Sequence, residues 1–187
     1  MASLRREPTA VASRRIHSGR VIVVDEDTVR FPDGSTGVLD VVRHPGASAV
    51  VPFLDDPAGE NPTILLIRQY RHAAGKWLME IPAGRLEPNE DPVSCARREL
   101  LEETGCTAGS ISHLTTILTT PGFSDEKIHL YMAADLVRGD PRHEVDEFIE
   151  PVALPLAEAL SLIESGEIAD AKSAIALLYS AGFKAGR

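Results

Sequence analysis

The residues best able to do chemistry lie in one stretch, Gly84 to Cys106, which reads GRLEPNEDPVSCARRELLEETGC. Asp91-Pro92 reads as a helix start, with Asp as N-cap and Pro at the first helical position, and Gly105 reads as the stop, so the spacing predicts a helix to about Thr104. On that helix Glu99 and Glu103 are four apart and stack on one face, with Glu102 one turn from Glu99 on the same side. Val93, Ala96 and Leu100 form the adjacent apolar stripe that docks to a sheet. Carboxylates held this close repel one another, and a divalent cation removes the conflict. An all-oxygen set suits Mg²⁺ or Mn²⁺ rather than zinc, and Mg²⁺ characteristically binds substrate phosphates alongside a few carboxylates. Such an ion polarises a phosphoryl oxygen and generates a hydroxide nucleophile. Arg98 forms an i,i+4 pair with Glu102, and Glu90, just before the helix, is placed to reach Arg98 and tie the loop down. Glu102-Glu103 alone would read as a solvated acidic face; the complete spacing argues against that.

These side chains need a sheet to hold them. Strands are predicted at Gly19–Val29 and Leu39–Arg43, joined through a Phe31-Pro32-Asp33-Gly34 turn, and then at Ala47–Leu54, Thr63–Tyr70 and Trp77–Ile81. Further strands are predicted near Leu114–Thr119, Ile128–Ala133 and Glu150–Leu154. Pro155 opens a helix that Gly166 closes, and Asp170 caps a last helix containing Ala174, Leu177 and Leu178. Strands and helices out of strict βαβ order indicate a mixed α/β or α+β domain.

The 187-residue chain, 43% hydrophobic and 25% charged, fits one compact domain with a small extension. Nineteen basic and 28 acidic residues give a net charge of −9, a poor balance for nucleic acid or an anionic membrane. A phosphate-bearing substrate would then need imported cations. Two cysteines, Cys95 and Cys106, make neither a zinc site nor a disulfide framework, and the six histidines lack ligand spacing. Cys95 lies one turn before Glu99, but a thiol is a poor Mg²⁺ ligand and packing is favoured. Residues 1–16 carry Arg5, Arg6, Arg14 and Arg15 without an apolar core, so they do not read as a signal peptide, and no run matches a membrane span. A cytoplasmic protein is expected, with residues 1–18 a mobile tail, 19–45 an N-terminal β extension and 46–187 the main domain.

The Gly84–Cys106 segment resembles the Nudix box, G-x5-E-x7-R-E-U-x-E-E-x-G-U, where U is a bulky aliphatic residue. Every fixed position matches except the last, where Cys106 stands for the aliphatic residue at a packing position. The family hydrolyses nucleoside diphosphates linked to another moiety. The resemblance implies an α/β/α sandwich around a mixed β-sheet, here with an N-terminal antiparallel hairpin extension, and the box as loop-helix-loop. It implies metal ligation by Glu99 and Glu103, with Glu102 as a further ligand or metal-water contact and the backbone carbonyl of Ala83 completing the site. Arg98 and Glu90 carry over as the structural pair.

The flanks narrow the resemblance to ADP-ribose pyrophosphatases. Pro121 lies sixteen residues past Gly105 within PGFSDE, and IRQYRH (Ile67–His72) precedes WLMEIPAG (Trp77–Gly84). On that resemblance Arg71, Arg68, Glu80 and Phe123 are the candidate substrate contacts; Arg71 would reach the phosphate-ribose region, where a planar fork suits phosphate oxygens. Glu80 stands in a strand where an apolar residue would be cheaper, which fits either a ligand contact or a structural hydrogen bond. Trp77 reads as core rather than an adenine platform. In similar enzymes a glutamate on a loop beyond the box serves as general base. Here that loop is Arg138–Glu147; Glu147 and Glu144 are the candidates, Val145 stands at the aligned position, and Glu102 is a rival base. The implied reaction is Mg²⁺-dependent (or Mn²⁺-dependent) hydrolysis of ADP-ribose, or a related ADP-sugar, to AMP and ribose 5-phosphate. Alternatives are another nucleoside diphosphate sugar, an oxidised nucleotide, or a module that senses ADP-ribose without cleaving it. No SQPWPFPxS-like segment follows the box, which argues against NADH. Related enzymes are homodimers through their N-terminal strands, and the Val21–Arg43 hairpin is placed for that role.

Overall fold

The structure is a computed structural model and describes residues 7–140 and 148–182. Its chain divides into two compact units, Met1–Pro45 with Leu118–Lys127, and Gly46–Ile117 with Ile128–Arg187.

The first unit is a three-stranded antiparallel sheet, in the order β1 (Thr9–Ser18), β2 (Val23–Arg30), β3 (Thr36–Arg43). The Pro32-Asp33-Gly34 turn forms as expected: Gly34 takes φ 90°, and Asp33 Oδ1 accepts the Ser35 amide at 3.0 Å. Two sequence expectations fail here. Thr9–Ser18, assigned to a mobile tail over 1–18, is a full strand, and the strand read from Gly19 begins at Val23. The reason is that every residue of β1 is exposed, so it shows no apolar alternation. Backbone pairing with β2 and the Arg14–Glu26 and Arg15–Asp25 ion pairs hold it instead. The segment Leu118–Lys127 is stitched to β3: the Val42 amide donates to the Phe123 carbonyl at 2.7 Å, and the Asp125 amide to the Val42 carbonyl at 3.2 Å.

The second unit has two sheets. One is mixed, in the order β7 (Ala83–Arg85), β4 (Ala47–Pro52), β9 (Lys127–Arg138), β8 (Cys106–Leu118), with β4 parallel to β9. The other is antiparallel, in the order β10 (Ile149–Pro155), β5 (Thr63–Arg71), β6 (Lys76–Glu80). β4 is buried on both faces, as a strand covered by helices must be. Ala47, Ala49 and Val51 share a core with Leu156 and Ala159 of α2 (Leu156–Ser165) and Ala176 and Leu177 of α3 (Ala171–Gly182). Val50 points the other way, into a core with Ala96 and Leu100 of α1 (Pro92–Thr104). This is the helix–sheet–helix layering expected from the sequence.

α1 has the predicted bounds. Pro92 opens it and Gly105 closes it with φ 72° and its amide on the Leu101 carbonyl; Asp91 holds the N-cap position with extended backbone but makes no side-chain cap bond. At α3 the cap is complete: Asp170 Oδ2 accepts the Ser173 amide at 3.0 Å and the Ser173 hydroxyl at 2.6 Å. β7 was not foreseen. Pro82 ends β6 as a proline should, yet Ala83–Arg85 resumes as a short strand on β4, with Ser48 paired to Gly84. It brings backbone directly against α1.

Candidate functional site

The carboxylate face of α1 meets β7. Glu99 and Glu103 are buried, 8% and 2% exposed, while Glu102 is more open. Burying acidic groups demands compensating donors. Glu103 Oε2 accepts the Ala83 amide at 2.9 Å. Glu99 lies over Gly84 so closely that a Cβ there would fall 1.8 Å from its Oε1. Gly84 is thus the residue that lets backbone and carboxylate share the space.

Arg98 organises the rest. Its Nη1 donates to Glu99 Oε1 at 2.5 Å and to Glu102 Oε2 at 3.0 Å. Its Nε and Nη2 grip the two oxygens of Glu90 at 2.9 and 3.0 Å, and Nη2 also reaches the Arg85 carbonyl at 3.0 Å. The expected Glu90–Arg98 tie and the Arg98–Glu102 pair are both present. Hydrogen bonds from Arg98 hold the Glu90 carboxyl down at about 2, against the opposing effect of burial. Burial, reinforced by the charges of Glu90 and Glu99, pushes the Cys95 thiol up to about 12, so Cys95 packs as a neutral group with its Sγ near the Gly84 and Arg85 carbonyls.

A second cluster stands on β5, β6 and α3. Arg71 grips Glu80 through two hydrogen bonds, Nε to Oε1 at 2.8 Å and Nη2 to Oε2 at 2.9 Å. Glu80 is only 1% exposed, and its Oε2 also accepts Lys172 Nζ. Burial would raise the Glu80 carboxyl, but the Arg71 hydrogen bonds and the charges of Lys172 and Arg71 outweigh it and hold it below the ordinary range. Glu80 therefore takes the structural hydrogen bond rather than the ligand contact: both its oxygens are occupied and it has no surface to offer. Lys172 Nζ is in turn held by Asp170 Oδ2 at 2.9 Å. The Glu80 hydrogen bonds, with smaller contributions from the charges of Glu103 and Asp170, raise the Arg71 guanidinium above its ordinary value against the effect of burial.

Strand geometry bears on two other residues. Arg68 and Arg71 are three apart on β5, so they project from opposite faces. Arg68 does not join the cluster; its guanidinium stacks over Trp77 at 5.3 Å, and it pairs loosely with Glu150. Trp77 is not core: it is 48% exposed, edge-on to Tyr70 at 5.8 Å. Phe123 is exposed and belongs to the first unit. Glu144 and Glu147 lie outside the described residues. Lys172 and Asp170 were missed, although an acidic residue inside an apolar strand is itself a signal that a cation must come from elsewhere in the chain.

Among the described residues no group of three or more His, Cys, Asp or Glu forms a ready-made metal cage. The donors still fit a hard divalent ion. They are oxygens, two are buried on adjacent turns, and Gly84 lets the Glu99 carboxylate occupy the space that a Cβ would fill. An ion that takes some ligands from water and phosphate needs this kind of partial set.

A NUDIX domain matches residues 43–176. The chain is 39% identical over 175 residues to an ADP-ribose pyrophosphatase of Bacillus subtilis, covering 92% of each, and 41% identical over 175 residues to a methanol dehydrogenase activator of Bacillus methanolicus, also covering 92% of each. Its fold is similar to a crystal structure of an ADP compounds hydrolase, with a TM-score of 0.82 at 24% identity, covering 97% of this chain and 96% of that one. The chain belongs to the Nudix family. It is a hydrolase of the kind that acts on diphosphate bonds with a divalent metal.

Two outcomes follow from the geometry. Gly84→Ala is expected to fold, because the obstructing atom is the end of a flexible side chain, but to displace Glu99; calorimetric titration with Mn²⁺ should show a weakened site, and unchanged affinity would refute the packing argument. Glu90 has a depressed folded-state pKa, so its stabilisation is full above the unfolded value of 4.5 and is lost as pH falls towards about 2. Urea unfolding across that window should show a steeper acid loss in wild type than in Glu90→Gln; parallel curves would contradict it.

Proposed function

We propose that this protein hydrolyses the diphosphate bond of ADP-ribose, giving AMP and ribose 5-phosphate, with Mg²⁺ or Mn²⁺ as its metal. The observation that carries the reading is the buried Glu99/Glu103 pair closed by Gly84, Ala83 and Arg98, in a chain so similar to an ADP-ribose pyrophosphatase along nearly its whole length.

Glu99 and Glu103, with Glu102 and the Ala83 carbonyl, would hold the ion. When bound, the ion supplies positive charge that polarises the diphosphate and acidifies water. Arg98 fixes the carboxylate rotamers. Arg71, bound along one edge by Glu80, turns its remaining N–H groups to a phosphate oxygen. A base must take the proton of the attacking water. Glu147 and Glu144, which follow β9 in the sequence, are the candidates, with Glu102 the alternative. Phe123 is proposed as a substrate contact from the Leu118–Lys127 segment. Residues 46–187 form the hydrolase domain. Arg68, stacked on Trp77 across the strand from Arg71, is left out.

A homodimer through the N-terminal strands is also proposed. β1 and β3 present Val11, Ile16, Val38 and Leu39 to solvent, each more than 45% exposed, which suits cover by a second copy. No helix among the described residues is long and apolar enough to cross a membrane. The buried, unpaired Cys95 and Cys106 suit the reducing cytoplasm. Net charge −9 disfavours nucleic acid as a partner.

A panel of ADP-ribose, other nucleoside diphosphate sugars, oxidised nucleotides and NADH, with identified products, tests the substrate. Glu99→Gln and Glu103→Gln should each lower turnover by on the order of 10²–10³ while melting like wild type. Glu147→Gln or Glu144→Gln should lower kcat but leave Mn²⁺ affinity intact. Full metal-dependent turnover by both box variants would refute the site, and binding of ADP-ribose without product would favour the sensing alternative. Sedimentation equilibrium should find dimers that Val38→Asp with Val11→Asp dissociates; a wild-type monomer would remove the dimer proposal.

A further inference from the structure

The second cluster contains more than the proposed substrate contact needs. Arg71 and Glu80 alone would make a closed ion pair of zero net charge. Such a pair offers little attraction to a diphosphate, and it would leave a carboxylate buried on one partner. Lys172 changes both properties. It is 9% exposed, comes from the first turn of α3, and places its ammonium on the Glu80 oxygen that also receives Arg71 Nη2. Arg71, Lys172 and Glu80 together carry one net positive charge, which the Asp170 carboxylate, 2.9 Å from Lys172, balances; without Lys172 the remaining three groups would carry one net negative charge. The charge of Asp170, on the far side of Lys172, is shared with the start of α3, where the Ser173 amide and hydroxyl both donate to it. The assembly is also mechanically fixed, because the Ile81 amide, next to Glu80, donates to Ser173 Oγ at 2.9 Å. Thus residues 170–173 pin both the end of β6 and the carboxylate that aims Arg71.

We infer that Lys172 is a positioning residue for substrate binding: by neutralising and orienting Glu80 it keeps the Arg71 fork aimed and its charge available to the diphosphate. This rests on the reading above that Arg71 faces the phosphates. Lys172 touches no substrate itself. Its loss should therefore appear in substrate affinity, and only while Arg71 is present.

The test is a double-mutant cycle on full-length protein, with metal present and the best nucleotide substrate of the panel. Lys172→Met keeps the length of the side chain without its charge and should raise KM roughly tenfold while kcat stays within about threefold. Lys172→Arg should restore KM to within about threefold of wild type. In an Arg71→Ala background, Lys172→Met should add no further increase, because the interaction it supports is already gone. Thermal melting checks folding. Should the Met variant fail to fold, Lys172→Gln, which keeps a donor for Glu80 but no charge, enters the same cycle. A KM increase of equal size with and without Arg71 would mean that Lys172 merely docks α3, and would overturn the inference, as would an unchanged KM. A separate readout distinguishes this from failure of the proposed activity. The ¹⁵N resonance of Arg71 Nε–H, held by Glu80, should move in Lys172→Met and return in Lys172→Arg, whatever the protein hydrolyses. A resonance unmoved in Lys172→Met overturns the inference even if ADP-ribose is the substrate.

Discussion

Burying acid without letting it neutralise or repel is the constraint around which the second unit is arranged. Glu99 and Glu103 are carried on the side of α1 that meets β7, where water is scarce, and each needs a donor or a neighbour that tolerates its closeness. The short β7 supplies both: an amide for Glu103 at Ala83 and the absence of a side chain for Glu99 at Gly84. β7 can do so only because it pairs with β4, the strand whose two faces are covered by α1 on one side and by α2 and α3 on the other. Core packing, backbone register and the acidity of the site are therefore one problem. A shift of β7 by one residue on β4 would exchange Gly84 for a residue with a Cβ beneath Glu99.

The same constraint is met differently on β6. Glu80 occupies a position where Met79 and Ile81 beside it are apolar, and the fold brings it two cations of unlike chemistry. The guanidinium of Arg71 makes a planar, two-point grip that fixes direction. The ammonium of Lys172 is a point charge that neutralises without dictating an angle. Arg71 is half-exposed and Lys172 is not, so direction is given to the group that faces outward and neutralisation to the group inside.

The box helix was legible because its information is local. Asp91-Pro92 and Gly105 mark its ends by backbone geometry, and a spacing of four defines its acidic face regardless of the rest of the chain. The Glu90–Arg98 tie spans only eight residues and was readable for the same reason. What lay outside the reach of the sequence was either non-local or without pattern. Lys172 and Glu80 are 92 positions apart, and no periodicity links them. β1 has no buried side chain to announce it. Trp77 reads as core from the sequence, yet its position opposite Tyr70 on an edge strand leaves it at the surface beside Arg68. Strand alternation alone separates Arg68 from Arg71, because residues three apart on one strand face opposite sides.

A chain with net charge −9 must place its cations carefully if it is to hold a diphosphate. In the first unit Arg15 and Arg43 are committed to the buried Asp25, and Arg43 to Asp27 as well. In the second, Arg98 is committed to Glu90, Glu99 and Glu102, and Lys172 to Glu80 and Asp170. These basic groups act inward, as counter-charges to carboxylates in a poorly solvated setting. Arg71 differs by having one edge bound and the other directed out of its pair. On the proposed function, positive charge for a substrate would come from two sources: the open edge of Arg71 and an ion held by the carboxylates that Arg98 braces. A more basic chain could bind phosphate directly with lysines, but it would bind phosphates of every kind. If both an assembled metal and an aimed guanidinium are required, as the proposed function has it, binding would be restricted to groups that satisfy the two at once, as a diphosphate bridge does.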